Sequence, residues 1–235
     1  MLRLRRTFAV LGSAALLATA ALPAQAYLAP WSSFDFLTDQ RWSQINNRLA
    51  DENLRTLRES ADRTTTPPAS NLSALALGDD ATTDLSRLGE HLADSQLDTE
   101  QAGTVLEIYR RAAESLGVPA NDTASGVVAL IAGSYAGYTN QPFPDEAFKP
   151  LYEQFAPIIA ADPTLMQLPQ AERVEYYQRM VLAGMLFQLA QIELQKNPDP
   201  AQIDDMRDSA YKVFSGITGR SPDAVQFTSQ GMSAR

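Results

Sequence analysis

A run of residues without any charged side chain, 123–138, constrains the fold of this chain most. It carries glycines among branched apolar side chains, so it has no polar face to turn towards water. A helix of this kind is stable only when it is buried nearly all round. Asn121 or Asp122 stands directly before the run and can cap its first amides. The run therefore predicts a central helix enclosed by other elements.

Two of these glycines, Gly133 and Gly137, have the spacing that lets helices approach closely inside a membrane. The run is shorter than the roughly 20 apolar residues that a bilayer core requires, and serine and tyrosine side chains interrupt it. Each glycine lowers helix propensity by about 1 kcal/mol relative to alanine, which packing against a neighbouring helix must offset. We therefore interpret the run as the centre of a helical core in water.

Four further stretches show helical spacing of apolar residues between a capping residue and a stop signal. They lie at residues 98–116, 145–159, 170–196 and 200–219. Proline-rich loops separate them, and no alternating β pattern competes. Because short connections make neighbouring helices antiparallel, the predicted fold is an all-α antiparallel bundle of about five helices over 98–226, followed by a loose tail at 227–235.

The two most apolar helices, which begin near positions 122 and 170, are expected at the centre of this bundle. They carry four tyrosines that are candidates for a shared ligand pocket: Tyr135, Tyr138, Tyr176 and Tyr177. The alternative is that these rings lie in the core or at its rim, with each hydroxyl reaching an acceptor.

Residues 1–26 have the organisation of a secretory signal peptide, with a basic head, an apolar stretch and the small residues Ala24 and Ala26 before a cleavage point. The apolar stretch is too short for a transmembrane anchor, and Pro23 closes it. We therefore expect a mature chain that begins at Tyr27 and is exported, either to the periplasm or fully secreted.

Residues 27–97 are polar, and we interpret them as an amphipathic and linker segment that is partly disordered. Large aromatic side chains near its start make a candidate docking arm for a partner: Trp31, Phe34, Phe36 and Trp42. On this interpretation, a chain that lacks residues 27–97 would stay folded and soluble and would lose its partner.

The formal net charge of the whole chain is -9, and loss of the leader with its arginines makes it more negative. No cluster of Lys or Arg offers a local exception, so nucleic acid is excluded as a partner and anionic lipid surfaces are disfavoured. The chain has no cysteine, so its stability must come from apolar burial rather than from disulfides.

The sequence contains few of the residue types and motifs that catalysis commonly uses. The only histidine, His91, lies in the least patterned segment, and without cysteine neither a thiol nucleophile nor a common zinc site can form. Glycine-rich phosphate-binding motifs are absent as well. We predict no catalytic residue, no cofactor and no metal ligand.

Carboxylates could still act in pairs or bind calcium. Two groups of aspartates and two single glutamates are the candidates: Asp204, Asp205 and Asp208; Asp79, Asp80 and Asp84; Glu107; and Glu193. The aspartate groups lack the alternating pattern of a calcium loop, which favours a solvated face. The glutamates would be acids of raised pKa if buried, and exposure at a helix edge is the alternative.

The helix start at 121–124, with Tyr135, Tyr138 and residues 207–219, resembles a group of uncharacterised exported bacterial proteins that share a domain of unknown function. The resemblance implies a leader, a variable polar segment and a C-terminal all-helical domain, which corresponds to 98–226 here. It carries over no activity. It implies that the helix start matters to the domain, for which a side-chain cap on a buried helix is a sufficient physical reason.

Two hypotheses from different classes follow. The first is an exported, non-enzymatic helical domain that binds an envelope or extracellular protein or a small apolar ligand, without stable membrane insertion once the leader is cleaved. The second is an enzyme that uses a pair of carboxylates for acid–base chemistry on envelope or extracellular polymers. A third hypothesis is a membrane-inserting toxin, which rests on the two apolar helices alone.

Overall fold

The computed structural model describes residues 44–52, 54–55, 71–88 and 97–235, and these are mostly helical, as predicted. A helical segment covers 44–52 and 54–55, and 3₁₀ turns follow at Leu72–Leu75 and Asp79–Thr82. The remaining elements are α1 (Thr99–Ser115), α2 (Thr123–Thr139), α3 (Asp145–Ala161), α4 (Pro163–Met166), α5 (Gln170–Lys196), α6 (Pro200–Thr218), a 3₁₀ turn at Pro222–Ala224, β1 (Val225–Thr228) and β2 (Gly231–Ala234). The leader, the aromatic arm and His91 lie outside the described residues.

The helix ends follow the local signals that predicted them. Asp98 and Gln101 form a complete capping box at the start of α1. The Asp199 side chain accepts from the first amides of α6, and Gly219 ends that helix in the left-handed conformation, with φ 68°. The α3 helix continues through Pro150 and Pro157.

The backbones of α2 and α5 approach each other closely in the core. A Cβ atom built on Gly133 would overlap the backbone of Gly184, and one built on Gly184 would overlap the carbonyl of Ala129. Further along, a Cβ on Gly137 would lie 2.9 Å from the ring of Phe187. The glycines therefore let two helix backbones touch in a buried crossing, which is the role that the sequence predicted for them.

Helix direction follows from which residues face each other. Gly126 faces Tyr177 and Gly133 faces Gly184. The residue numbers therefore increase in the same direction along both helices, so α2 runs parallel to α5. Tyr138 instead contacts Tyr211, and Tyr135 contacts Phe214, so α6 runs antiparallel to α2. The arrangement of all five longer helices as one antiparallel bundle remains a prediction, whereas the central position of α2 and α5 is observed.

The apolar core does not begin at residue 98. Leu75, Leu77 and Leu88 are each no more than 1% exposed and belong to the same cluster as the helices. Ile45 and Leu49 of the helical segment at 44–55 belong to it as well. This corrects the interpretation of 27–97 as a linker beside the core: its described parts are built into the core, although their leucines show no regular period.

Hydrogen bonds tie residues 71–88 to the helices. Gln178 of α5 donates to the carbonyls of Ala81 and Asp84 at 3.0 and 2.7 Å. At the start of α2, the Thr123 hydroxyl donates to the carbonyl of Leu75 at 3.1 Å. Because these donors come from buried side chains of the two central helices, residues 71–88 hold a fixed position on them.

The C-terminal residues form a hairpin where the sequence predicted a loose tail at 227–235. Strands β1 and β2 pair antiparallel, with Phe227 opposite Met232. Gln154 of α3 donates to the carbonyl of Met232 and accepts from its amide, so the hairpin is pinned to a helix. Strands of this length carry too few alternations to stand out in a sequence.

Candidate functional site

A half-open apolar slot lies where α1, α2, α3 and α5 meet. Its volume is about 80 Å³. Its walls come from four helices and the loop after α2: Tyr109, Ala112, Ala113, Leu116, Ala136, Pro142, Phe143, Asp145, Phe148, Met185, Gln188, Gln191 and Ile192. Its mostly apolar lining with a few polar groups has the composition of a small-molecule site, in a smaller volume than the roughly 300–1,000 Å³ of most such sites.

Small side chains create this slot. Ala112 and Ala113 lie on α1, and Ala136 faces them from α2, so each helix presents a methyl group between larger neighbours. The Tyr109 hydroxyl donates to the carbonyl of Ser125 at 2.6 Å, which holds its ring at one wall. Because these positions are distant in the sequence, no local pattern signals the slot.

One wall of the slot carries a buried amide. Gln191 of α5 is 3% exposed and lines the slot, and the described residues supply no hydrogen bond to its side chain. Gln188 lies three residues earlier on the same face of α5 and is partly exposed. Its amide atoms are not among the described side-chain atoms that lack both solvent contact and a partner, so the amide meets solvent through the open side of the slot. A ligand that fills the slot would displace that solvent, so Gln191 marks the slot as a place for a polar contact.

A larger polar cleft of about 290 Å³ lies between residues 71–88 and α5. Its polar side chains already make hydrogen bonds within the protein. Gln170 donates to the carbonyl of Leu77 at 2.8 Å, and Gln178 makes the two bonds described above. Arg87 donates to Glu175 at 2.9 Å. The cleft therefore joins two parts of the chain, and the apolar slot is the better candidate for a ligand.

Beneath this cleft lies a buried ion pair that sequence reasoning missed. Arg179 is 1% exposed and its Nη2 donates to Glu175 Oε1 at 2.8 Å. The two residues are four apart on α5, a spacing that on a surface helix would be a solvated pair. Burial of this pair depends on residues 71–88 and could not be read from the helix alone, so α5 is less uniformly apolar than expected.

The four candidate tyrosines lie at two separate places. Tyr176 donates to Asn46 and Tyr177 donates to the carbonyl of Ala120, near the start of α2. Tyr138 donates to Asp223, and the Tyr135 ring lies 4.6 Å from that of Phe227, near the end of α2. Roughly 16 Å of helix separates these places, given a rise of about 1.5 Å per residue. This corrects the shared pocket to four core and rim positions.

Asp122 caps α2 from inside the core, where it is 3% exposed. Its Oδ1 accepts from the amides of Ala124 and Ser125 at 2.8 and 3.2 Å, and the Tyr152 hydroxyl donates to its Oδ2. Burial raises the pKa of Asp122, while the two amides and Tyr152 oppose that shift. The predicted importance of this helix start therefore has a concrete basis in buried amides that need an acceptor.

We predict that Asp122→Ala lowers the free energy of unfolding at pH 7 by about 1–2 kcal/mol, since it leaves buried amides unpaired. Asp122→Asn keeps an acceptor and removes the buried charge, so it should match or exceed the parent. Because folding raises this pKa, the folded state holds the proton more tightly and the parent loses stability as pH rises from about 4 through the raised value. Urea unfolding at several pH values measures this, and an equal loss in both variants would contradict it.

A family model matches residues 6–235, and it is described as a family of unknown function (DUF6683). The chain belongs to this family. No curated protein and no solved structure matches the chain. The matched range includes the described core and the helix start at Asp122. This agrees with the resemblance to proteins that share a domain of unknown function. The leader and the bacterial origin that the resemblance implied stay predictions.

The single glutamates of this DUF6683 chain, Glu107 and Glu193, are partly exposed. Hydrogen bonds from Arg110, with further ones from Arg111, lower the pKa of Glu107 to about 2, so it is no raised-pKa acid. Glu193 accepts from Asn197 at 2.6 Å. Across the described ranges, no three acidic or histidine side chains come together where they could hold a metal ion.

One member of each aspartate group has a local partner in the DUF6683 fold. Asp84 accepts from the amide and hydroxyl of Ser86, which lowers its pKa. Asp204 pairs with Arg207 at 3.4 Å on α6.

None of the helices in the described part of the chain is both long enough and apolar enough to cross a bilayer.

Proposed function

We propose that this chain is an exported, non-enzymatic binding protein that takes a small apolar ligand in the apolar slot. The helices are then an antiparallel bundle whose role is to hold four walls of the slot in place. The observation that carries the proposal is the slot itself, which is open on one side and walled by Tyr109, Phe143, Phe148 and Met185. Export rests on the predicted leader, and a protein partner for the aromatic arm stays a prediction.

The competing enzyme needs two carboxylates that face each other across a cleft. Among the described residues, the buried acids are Asp122 and Glu175. Asp122 caps α2 and Glu175 accepts from two arginines, so each carboxylate already has a structural task. No geometric feature of the described residues favours the enzyme over the binding protein.

A titration with toluene tests the proposal. Toluene is apolar, and the open side of the slot lets part of its ring enter a volume of about 80 Å³. We expect saturable shifts in the ¹H–¹⁵N NMR spectrum of the full chain at Ala112, Ala136 and Phe143, with a dissociation constant on the order of 1 mM. Shifts spread evenly over the surface, or none at the slot, would contradict the proposal.

The variant Ala112→Leu should abolish these shifts, because the larger side chain fills the slot from α1. Ala201→Leu makes the same change at an exposed position of α6 and should leave toluene binding unaltered. A slot variant that still binds toluene like the parent would show that the ligand lies elsewhere.

A further inference from the structure

The apolar slot contains one feature that a purely hydrocarbon ligand would leave unsatisfied. Gln191 is 3% exposed, lines the slot and receives no hydrogen bond from the described residues. An amide in that position has two donors and an acceptor to offer. A ligand that lacks a polar atom would shut this amide away from water without a partner, which is unfavourable.

We infer that the slot selects a small neutral ligand that has an apolar body and one oxygen atom, a hydroxyl or a carbonyl, placed to accept from the Gln191 amide. The inference rests on the proposed function and deepens it by naming the ligand's chemistry. The apolar body lies against the aromatic and aliphatic walls formed by Tyr109, Phe148 and Met185. The oxygen takes the place of the hydrogen-bond partner that the protein does not supply.

Size and charge narrow the ligand further. A volume of about 80 Å³ is roughly half of the cavity of about 150 Å³ that holds a benzene molecule, so only part of such a ring lies inside the slot. Asp145 also lines the slot, and the chain carries a net charge of -9, so a carboxylate would meet repulsion. The ligand, or the part of it that enters the slot, is therefore small and uncharged.

Phenol and toluene form a matched pair for the test, since they have the same shape and differ by a hydroxyl in place of a methyl group. Dissociation constants for both are measured by NMR on the full chain, the Gln191→Leu variant and the Gln195→Leu variant. We expect Gln191→Leu to weaken phenol relative to toluene by about 3- to 10-fold. Gln195→Leu makes the same change at an exposed position of the same helix outside the slot, so it should keep the parent's preference.

Benzoate supplies the charged arm and should not bind the parent chain at concentrations where phenol saturates it. If Gln191→Leu does not fold, Gln191→Met replaces it, since methionine keeps the length of the side chain and has no amide. An unchanged preference in the Gln191 variant, or a loss only in the Gln195 variant, would overturn the inference while toluene binding leaves the proposed function intact. Failure of both toluene and phenol to bind the parent would overturn both.

Discussion

Replacing Gly133 with alanine is expected to destabilise the protein by about 3 kcal/mol or more. The added Cβ would occupy the position of the Gly184 backbone, so α2 and α5 must move apart along their whole contact. Neither helix can yield locally, because the obstacle is main chain and not a flexible side chain. Alanine's better helix propensity, about 1 kcal/mol, offsets only part of this cost.

Gly216→Ala is the matched control for that variant. A Cβ at Gly216 would meet nothing within 4 Å, and the residue lies inside α6. This variant should gain about 0.5–1 kcal/mol from helix propensity alone. Thermal unfolding should then shift the melting temperature in opposite directions, by about 6 °C or more downwards for Gly133→Ala and a few degrees upwards for the control. Similar shifts in both variants would contradict the close crossing of α2 and α5.

Removing residues 1–97 is expected to abolish cooperative folding. The deletion takes away Leu75, Leu77 and Leu88, which are buried against the helices, and each such leucine contributes about 2–5 kcal/mol. That sum is comparable to the whole stability of a typical domain. It also removes the backbone carbonyls that the buried side chains of Thr123 and Gln178 use as acceptors.

Removal of residues 1–43 is the control for that deletion, because it leaves every described core residue in place. Circular dichroism and urea unfolding of the two shortened chains decide between the alternatives. The shorter deletion should unfold cooperatively at nearly the parent's midpoint, and the longer one should show no cooperative transition. If the fragment 98–235 were stable and unfolded cooperatively, this would instead support the sequence-based prediction that the helices form a separate domain.

Local chemistry explains why the helices could be predicted. Asp98 with Gln101, Asp122, and Asp199 each mark a helix start through contacts within a single turn, so the sequence alone carries the signal. The uncharged run of α2 likewise required burial whatever its neighbours were. The place of Leu75 and Leu77 in the core depends on partners far along the chain, and their spacing shows no period.

The candidate site was much less predictable than the fold. The slot exists because Ala112 of α1 and Ala136 of α2 meet beside Met185 of α5, which is a property of the packed helices rather than of any segment. Gln191 looks like an ordinary polar residue on a helix, and only its burial makes it informative. The tyrosines are amphipathic side chains on apolar helices, which is why the sequence made them candidates, but the hydroxyls of Tyr138, Tyr176 and Tyr177 donate to acceptors within the protein.

Diffraction from crystals of the full chain soaked in toluene tests the central claim most directly, namely that the slot between α1, α2, α3 and α5 is a ligand site. The account predicts planar density between Ala112 and Met185, with the surrounding helices at their original separation. A slot that contains only ordered water, with toluene absent or bound on the outer surface, would contradict it.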